Sequence, residues 1–390
     1  MDELSKYLLE KYPDNYITGG DDCNLLIWST EEDMNRIPKM CSLMIGLEYD
    51  PYDLPEAQIR NILNQDIRND STYKKLFGYG SKFAENMQSS FLIIVYPSMR
   101  KEFEGRWEDS KSKYNPEQVN FYCIESPDSF TGRIVSGAGL RELIYNHLGG
   151  NYLDAGTTKE KNKRLADYFH LWSRDSLTRH IVKFDLDGFI FSEKSGKSAL
   201  VEFKRSTQVP WIPDWYPTYD KPDYILQHRF AQMIGADFWL LHHERKAPLE
   251  EGYVSFFDID EIDESESDYF LHFRRRAMKI PLHGEGGLDF IIQRFITSSD
   301  NDIPNSLYCP LCGSSVRHGQ YGYFCSGKAS GTCIMNVGKH YAYELEQEQL
   351  QSLLKGIPVS YVFEGRKTVI SPKVELHTYH EKTSYRWKRA

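Results

Sequence analysis

Two stretches of this 390-residue chain carry residue types at spacings that can do chemistry. Residues 180–206 read HIVKFDLDGFIFSEKSGKSALVEFKRS, where Asp185, Asp187, Glu202 and Lys204 alternate with apolar residues. A pair of carboxylates can anchor a hard divalent cation such as Mg2+ or Mn2+, which takes oxygen ligands, keeps several waters and polarises a bound oxygen. An ammonium beside them can stabilise developing negative charge or orient a water. Together these groups suit the hydrolysis of a phosphodiester. Residues 308–333 read YCPLCGSSVRHGQYGYFCSGKASGTC, with a C-x2-C knuckle at Cys309 and Cys312 completed by Cys325 and Cys333. Four thiolates suit a closed, tetrahedral, structural Zn2+ whose binding helps fold a segment too short to hold itself together. Four buried thiols are the alternative. A complete set of cysteines needs neither His318 nor His340.

The elements that must position these residues are legible in part. The stretch 180–206 reads as two strands joined by the polar turn SEKSGKS, with Gly196 at the bend. Period two puts Lys183, Asp185 and Asp187 on one side and Phe184 and Leu186 on the other. On the second strand Glu202 and Lys204 share a face opposite Val201 and Phe203. A register pairing Asp187 with position 202 or 204 brings the three charged groups together. The same alternation also arises on the solvated face of any amphipathic hairpin. Downstream, residues 223–244 (DYILQHRFAQMIGADFWLLHHE) read as a helix followed by a strand. On that strand the adjacent His242 and His243 point to opposite faces, cannot easily share one ion, and read as structural. The intervening stretch is rich in Pro and reads as a long loop. In it Trp211, Trp215 and Tyr216 either stack on unpaired bases or cover the edge of the core.

The acid on one strand and the E-x-K triplet on the next resemble the PD-(D/E)xK nuclease superfamily over about residues 155–245. The resemblance implies a restriction-endonuclease-like mixed sheet flanked by helices, with Asp187 and Glu202 as Mg2+ ligands and Lys204 as the catalytic lysine. Asp185 is the reserve acid, and an upstream helix offers Glu160. Gln227 resembles the helix glutamine of exonuclease-type branches, but Ala231 stands where those branches tend to have Tyr, so a plain surface residue is the favoured reading of Gln227. The cysteine spacing, with Tyr321, Tyr323 and Phe324 between the pairs, resembles the C-terminal zinc ribbons of type IA topoisomerases. Residues 341–390 are similar to the helix-plus-strands modules that follow such ribbons and bind single strands. A zinc ribbon can also serve as a docking or purely stabilising unit.

Length sets a soft expectation of two or three domains, with 40% hydrophobic and 14% aromatic residues to fill their cores. We read 1–150 as an acidic α/β domain, 151–300 as the nuclease-like domain, 301–340 as the ribbon and 341–390 as an α+β module. Within 1–150, FLIIVYP (91–97) and VNFYCIES (119–126) read as buried strands, and 55–68 and 139–150 as helices. No nucleotide-binding glycine fingerprint is present there. Net charge is −9 overall, from 47 basic and 56 acidic residues, but it is uneven. Residues 1–150 hold 16 basic and 24 acidic side chains, whereas 306–390 hold 11 and 6, the sign needed beside phosphates. Seven cysteines, four of them clustered, suit a reducing compartment, and the sequence shows neither a secretory leader nor an apolar run long enough to span a membrane. A cytoplasmic location is expected. The scattered Cys23, Cys41 and Cys123 read as idle thiols.

The sequence therefore points to a Mg2+-dependent DNA nuclease acting on single-stranded or duplex DNA, with a zinc ribbon and tail that hold the substrate. The acidic N-terminal domain is expected to meet a protein partner or a second copy of the chain, or to sense a small ligand, by analogy with bacterial restriction and anti-phage defence proteins. An RNA nuclease, or a non-catalytic nucleic-acid-binding scaffold with a nuclease-like core, remains open at this point.

Overall fold

A computed structural model describes residues 2–18, 23–30, 37–47, 55–62, 71–97, 115, 117–126, 131–149, 168–177, 181–207, 221–265, 271–284, 287–297, 309, 316–319, 322–329, 331, 333–354, 358–363, 365–379 and 382–389. In chain order these form α1 (Glu3–Lys11), β1 (Tyr16–Thr18), β2 (Cys23–Thr30), β3 (Met40–Leu47), α2 (Glu56–Ile62), α3 (Ser71–Met87), β4 (Ser90–Pro97), β5 (Asn120–Ser126), β6 (Thr131–Ser136), α4 (Gly137–Leu148), α5 (Tyr168–Ser176), β7 (Ile181–Leu186), β8 (Gly188–Phe191) and β9 (Ser198–Ser206). They continue with α6 (Lys221–Ile234), β10 (Asp237–Glu244), β11 (Val254–Ile262), β12 (Leu271–Ile280), α7 (Leu288–Thr297), β13 (Val316–Gly319), β14 (Gly322–Cys325), α8 (Ser326–Ala329), β15 (Lys339–His340), β16 (Tyr343–Glu344), α9 (Gln347–Leu354), β17 (Val359–Phe363), β18 (Arg366–Tyr379) and β19 (Lys382–Arg389). The chain is a mixed α/β protein. It divides into two compact units, one holding Leu9–Phe189 and Tyr219–Ala236, the other Asp2–Leu8, Ile190–Thr218 and Asp237–Ala390. The sequence-based boundaries at 150 and 300 do not coincide with this division.

In the first unit a mixed sheet runs β6-β5-β4-β3-β2-β7. β3 and β4 are nearly continuous apolar runs, buried along almost their whole length, as central strands require. They pair in parallel, so the chain must cross over between them, and it does so through α2 and α3. Every other pairing in this sheet is antiparallel. α4 starts where the Ser136 hydroxyl accepts a hydrogen bond from the Gly139 amide, and it ends at Gly149, whose φ of 77° is the left-handed value that closes a helix. Its buried face joins Trp28, Phe121, Phe169 and Trp172 in one apolar cluster. The two buried indoles are satisfied, Trp28 Nε1 by Ser42 Oγ at 2.7 Å and Trp172 Nε1 by Gly137 O at 3.0 Å.

The stretch 180–206 is not a single hairpin. β7 pairs with β2, with Leu186 opposite Leu25 and Asp185 opposite Leu26, and so closes the edge of the first unit's sheet. After Asp187 the chain starts β8, a strand of a different sheet. The alternation of KFDLD runs right up to this change, which is why the sequence reads as one strand. Gly188 marks the spot: a Cβ there would come within 2.6 Å of Tyr16 Oη.

In the second unit the strands follow in the order β8-β9-β10-β11-β12. The turn between β8 and β9 is the expected one, with Ser192 N donating to Lys197 O at 2.8 Å, Gly196 N to Ser192 O at 2.9 Å, and Gly196 at φ 69°. β9 and β10 are parallel, and the connection between them carries α6. β10, β11 and β12 then run antiparallel. Trp239 packs edge-on to Phe256 and Phe295, with centroids 5.0 and 4.6 Å away, which seats α7 on this sheet.

The C-terminal part of this unit is a β13–β14 hairpin, a short β15–β16 ladder, α9 and an antiparallel β17-β18-β19 sheet. Residues 334–337 run beside β19: Asn336 N donates to Tyr385 O (2.8 Å), Tyr385 N to Ile334 O (3.1 Å), and the buried Trp387 Nε1 to Val337 O (2.8 Å). Among the described residues no helix is long and apolar enough to cross a membrane.

Candidate functional site

β9 carries the first constellation. Its central run Ala199–Glu202 is buried, and the register with β10 sets Glu202 beside Leu240 and Lys204 beside His242. Partners in a parallel pair share a face, so Glu202, Lys204 and His242 lie on one side of the sheet, and Phe203, Arg205 and His243 on the other. Glu202 is buried, and Lys204 Nζ stands 2.8 Å from its Oε1. A carboxylate this deep costs several kcal/mol to desolvate unless it is paired, and the ammonium supplies the pairing. One residue pair beyond, His242 Nε2 lies 2.9 Å from Ser206 Oγ. Burial, with His243 next to it, pushes His242 down to about 4, so the ring beside Lys204 is neutral near pH 7.

Asp187 is half-buried and occupies the single position between β7 and β8, so it precedes the hairpin whose second strand bears Glu202 and Lys204. Asp185 lies on β7, in the ladder with β2, and is half-buried. Gln227 was expected on the surface. It is instead 1% exposed, on the buried face of α6 with Tyr224, Phe230 and Ala231, because that face of the helix is apolar around it. Glu160, Trp211, Trp215 and Tyr216 fall outside the described residues.

The second constellation is a buried group of Cys309, Cys325 and Cys333, whose sulfurs all lie within 4.8 Å of one another and which can hold a metal ion. Cys309 Sγ and Cys333 Sγ are 3.8 Å apart. Tetrahedral Zn2+ with bonds of about 2.3 Å separates its thiolates by about 3.8 Å, so the spacing fits zinc. The Met335 amide points at Cys333 Sγ from 3.4 Å, the kind of outer hydrogen bond that steadies a ligating sulfur. Cys312 and Tyr321 are outside the described residues. Cys325 ends β14, which places the expected aromatics just before it: Tyr323 is half-buried with its ring 4.8 Å from that of His318, and Phe324 is exposed and lies over Gly319.

Sequence reasoning missed the acids that meet β9 and β10 from the far face of the sheet. His243 is 1% exposed, and its Nε2 lies 2.9 and 2.8 Å from the two oxygens of Asp2, while Arg205 Nη2 lies 2.9 Å from Glu3 Oε1. These pairs span more than 200 residues, and no local pattern announces them. Burial pushes the Asp2 carboxyl up, but the bond and charge of His243 and the amides of Leu4 and Ser5 outweigh it and hold Asp2 below its ordinary value. Comparison of the chain with protein-family models, curated proteins and solved structures finds no significant match.

Proposed function

We propose that this chain is a metal-dependent DNA nuclease that hydrolyses phosphodiester bonds with Asp187, Glu202 and Lys204. The observation that carries the reading is the buried Glu202 with Lys204 Nζ 2.8 Å away, two residues apart on one face of a strand in a parallel pair. The order of an acid before β8, the E-x-K triplet on β9, then α6 and β10 agrees with the resemblance to PD-(D/E)xK nucleases. In this reading Asp187 and Glu202 hold Mg2+ or Mn2+. Bound there, the cation supplies Lewis-acid polarisation of a phosphoryl oxygen and lowers the pKa of a coordinated water. Lys204 Nζ would direct its charge to the scissile phosphate or hold the attacking water.

The three-cysteine group, completed by Cys312, holds a structural Zn2+, and the ribbon with its basic tail tracks the DNA backbone, with Tyr323 and Phe324 at its aromatic surface. The acidic N-terminal region, residues 1–150, meets a protein partner or a second copy of the chain. A specific observation also favours a non-catalytic scaffold: Lys204 already neutralises Glu202, as a structural ion pair does. Cleavage of labelled single-stranded DNA, duplex DNA and RNA with Mg2+, Mn2+ or EDTA separates the readings. Metal-dependent cutting abolished by Glu202→Ala and Lys204→Ala, with zinc retained, supports the nuclease, and the preferred substrate distinguishes DNA from RNA. Binding without cutting in every metal favours the scaffold.

A further inference from the structure

The N-terminal helix belongs, through Asp2–Leu8, to the unit that carries Glu202 and Lys204. Its attachment is made of charged groups rather than apolar ones alone. Asp2 accepts the Leu4 amide at 2.9 Å, which fixes the first turn, and both of its oxygens meet the buried His243 Nε2. Glu3 takes Arg205 at 2.9 Å. One turn on, Tyr7 Oη donates to the Asp289 carboxylate at 2.7 and 2.8 Å, and Asp289 in turn holds His283 Nδ1 at 2.6 Å.

Arg205 and His243 are not arbitrary attachment points. They are register partners across β9 and β10, and they follow directly on Lys204 and His242, which are themselves register partners. Strand alternation turns Arg205 and His243 to the face opposite Lys204 and His242. Two adjacent acids, Asp2 just before α1 and Glu3 at its start, therefore grip two adjoining strands at the positions backing the lysine of the proposed centre. Backbone freedom at Lys204 would move its ammonium relative to Glu202, and a misplacement of 1 Å in a catalytic constellation costs about a hundredfold in rate.

We propose that α1 is a positioning clamp, in which Asp2 and Glu3 hold β9 and β10 from behind so that Lys204 is set against Glu202 and the bound phosphodiester. The inference rests on the reading of Glu202 and Lys204 as a hydrolytic centre. Asp2, Glu3, Arg205 and His243 are positioning residues and touch no substrate.

The test uses the full chain carrying Asp2→Ala with Glu3→Ala, and separately Glu3→Arg alone and paired with Arg205→Glu. Single-turnover cleavage at saturating DNA, DNA affinity, thermal midpoint and amide exchange are measured on each. The clamp predicts a loss of about tenfold or more in the single-turnover rate with DNA affinity unchanged, at a temperature where the protein is folded. It also predicts faster exchange confined to 203–206 and 241–244, and recovery of rate when the reversed pair Glu3→Arg/Arg205→Glu is restored. A rate on the folded protein equal to that of the unmodified chain overturns the proposal, even if the thermal midpoint falls. Should the unmodified chain cut nothing under any metal, the nuclease reading fails by itself and exchange decides the clamp: protection unchanged at 203–206 and 241–244 overturns it, and loss confined there supports it.

Discussion

The two metal-binding candidates in this chain are built on opposite principles. Glu202 and Lys204 sit on a strand whose neighbours are buried aromatic and aliphatic residues, so the sheet holds them whether or not a cation is present. The carboxylate carries its own substitute for a metal in the ammonium 2.8 Å away. Cys309, Cys325 and Cys333 sit in a short hairpin and its surroundings, where the cysteines themselves make up much of the buried surface. Three buried thiols offer weak hydrogen bonds and little apolar area. The difference leads to the expectation that a metal would be part of the fold at the second site and a guest at the first.

Metal removal should therefore give opposite results at the two sites, and the largest effect belongs to the cysteines. Structural zinc contributes apparent binding energies of about 10–16 kcal/mol near neutral pH, and that energy is folding energy. Chelation, or Cys325→Ser, is expected to abolish exchange protection at 316–319, 322–329 and 333–337 while leaving β9 and β10 protected; elemental analysis should find one zinc per chain. A ribbon that stays protected in a zinc-free preparation would break the comparison.

The next effect sharpens the other half. Lys204→Ala removes the ammonium that pairs with the buried Glu202, and stripping one partner from a buried pair costs about 3–5 kcal/mol. Lys204 is 23% exposed, so the cost should fall toward the low end of that range. If Glu202 is a metal ligand, Mg2+ restores much of the lost stability to Lys204→Ala while cutting stays abolished. Denaturant midpoints with and without Mg2+ measure this, and a variant insensitive to Mg2+ would mean that Glu202 belongs to a structural ion pair.

How much of this was legible in the sequence depends on how local the determinants are. The buried strands at 91–97 and 119–126, the helix closed by Gly149, the Gly196 turn and the helix-then-strand at 223–244 were all legible, because each is specified by periodicity and by its own end residues. The break at Asp187 was not, because alternation runs right up to it and the change of sheet is set by pairing with β2 and by the space beside Tyr16. Gln227 reads as a surface residue from its type, and only the packing of α6 buries it. The E-x-K pair and the cysteine cluster were legible as spacings. The acids behind β9 were not, since Asp2 and His243 are 241 positions apart.

The last effect comes from the neutral ring beside Lys204, and it asks how far the first site is protected from charge. His242 has a pKa lowered from 6.5 to about 4, mainly by burial. Below pH 6.5 the unfolded chain takes up a proton at this residue that the folded chain refuses, so stability falls as pH falls, and the loss is complete near pH 4. A shift of this size corresponds to about 3 kcal/mol. Asp2 adds to the same trend at lower pH: its depressed value gives stability that is present above the ordinary carboxylate range and lost as pH falls through the folded value. His283, held by Asp289 and Glu250, has a raised value and acts in the opposite sense, favouring the fold below its ordinary range and losing that contribution as pH rises; at half exposure its effect is the smallest. Denaturant midpoints from pH 7 to 4 should therefore decline in the unmodified chain and decline less in His242→Gln, which keeps a polar group for Ser206 without a titrating ring. Equal slopes for the two proteins would show that His242 takes up its proton in the fold. In that case Lys204 would share its face of the sheet with a second positive charge, and the contrast between a site held ready by its sheet and one made by its metal would narrow.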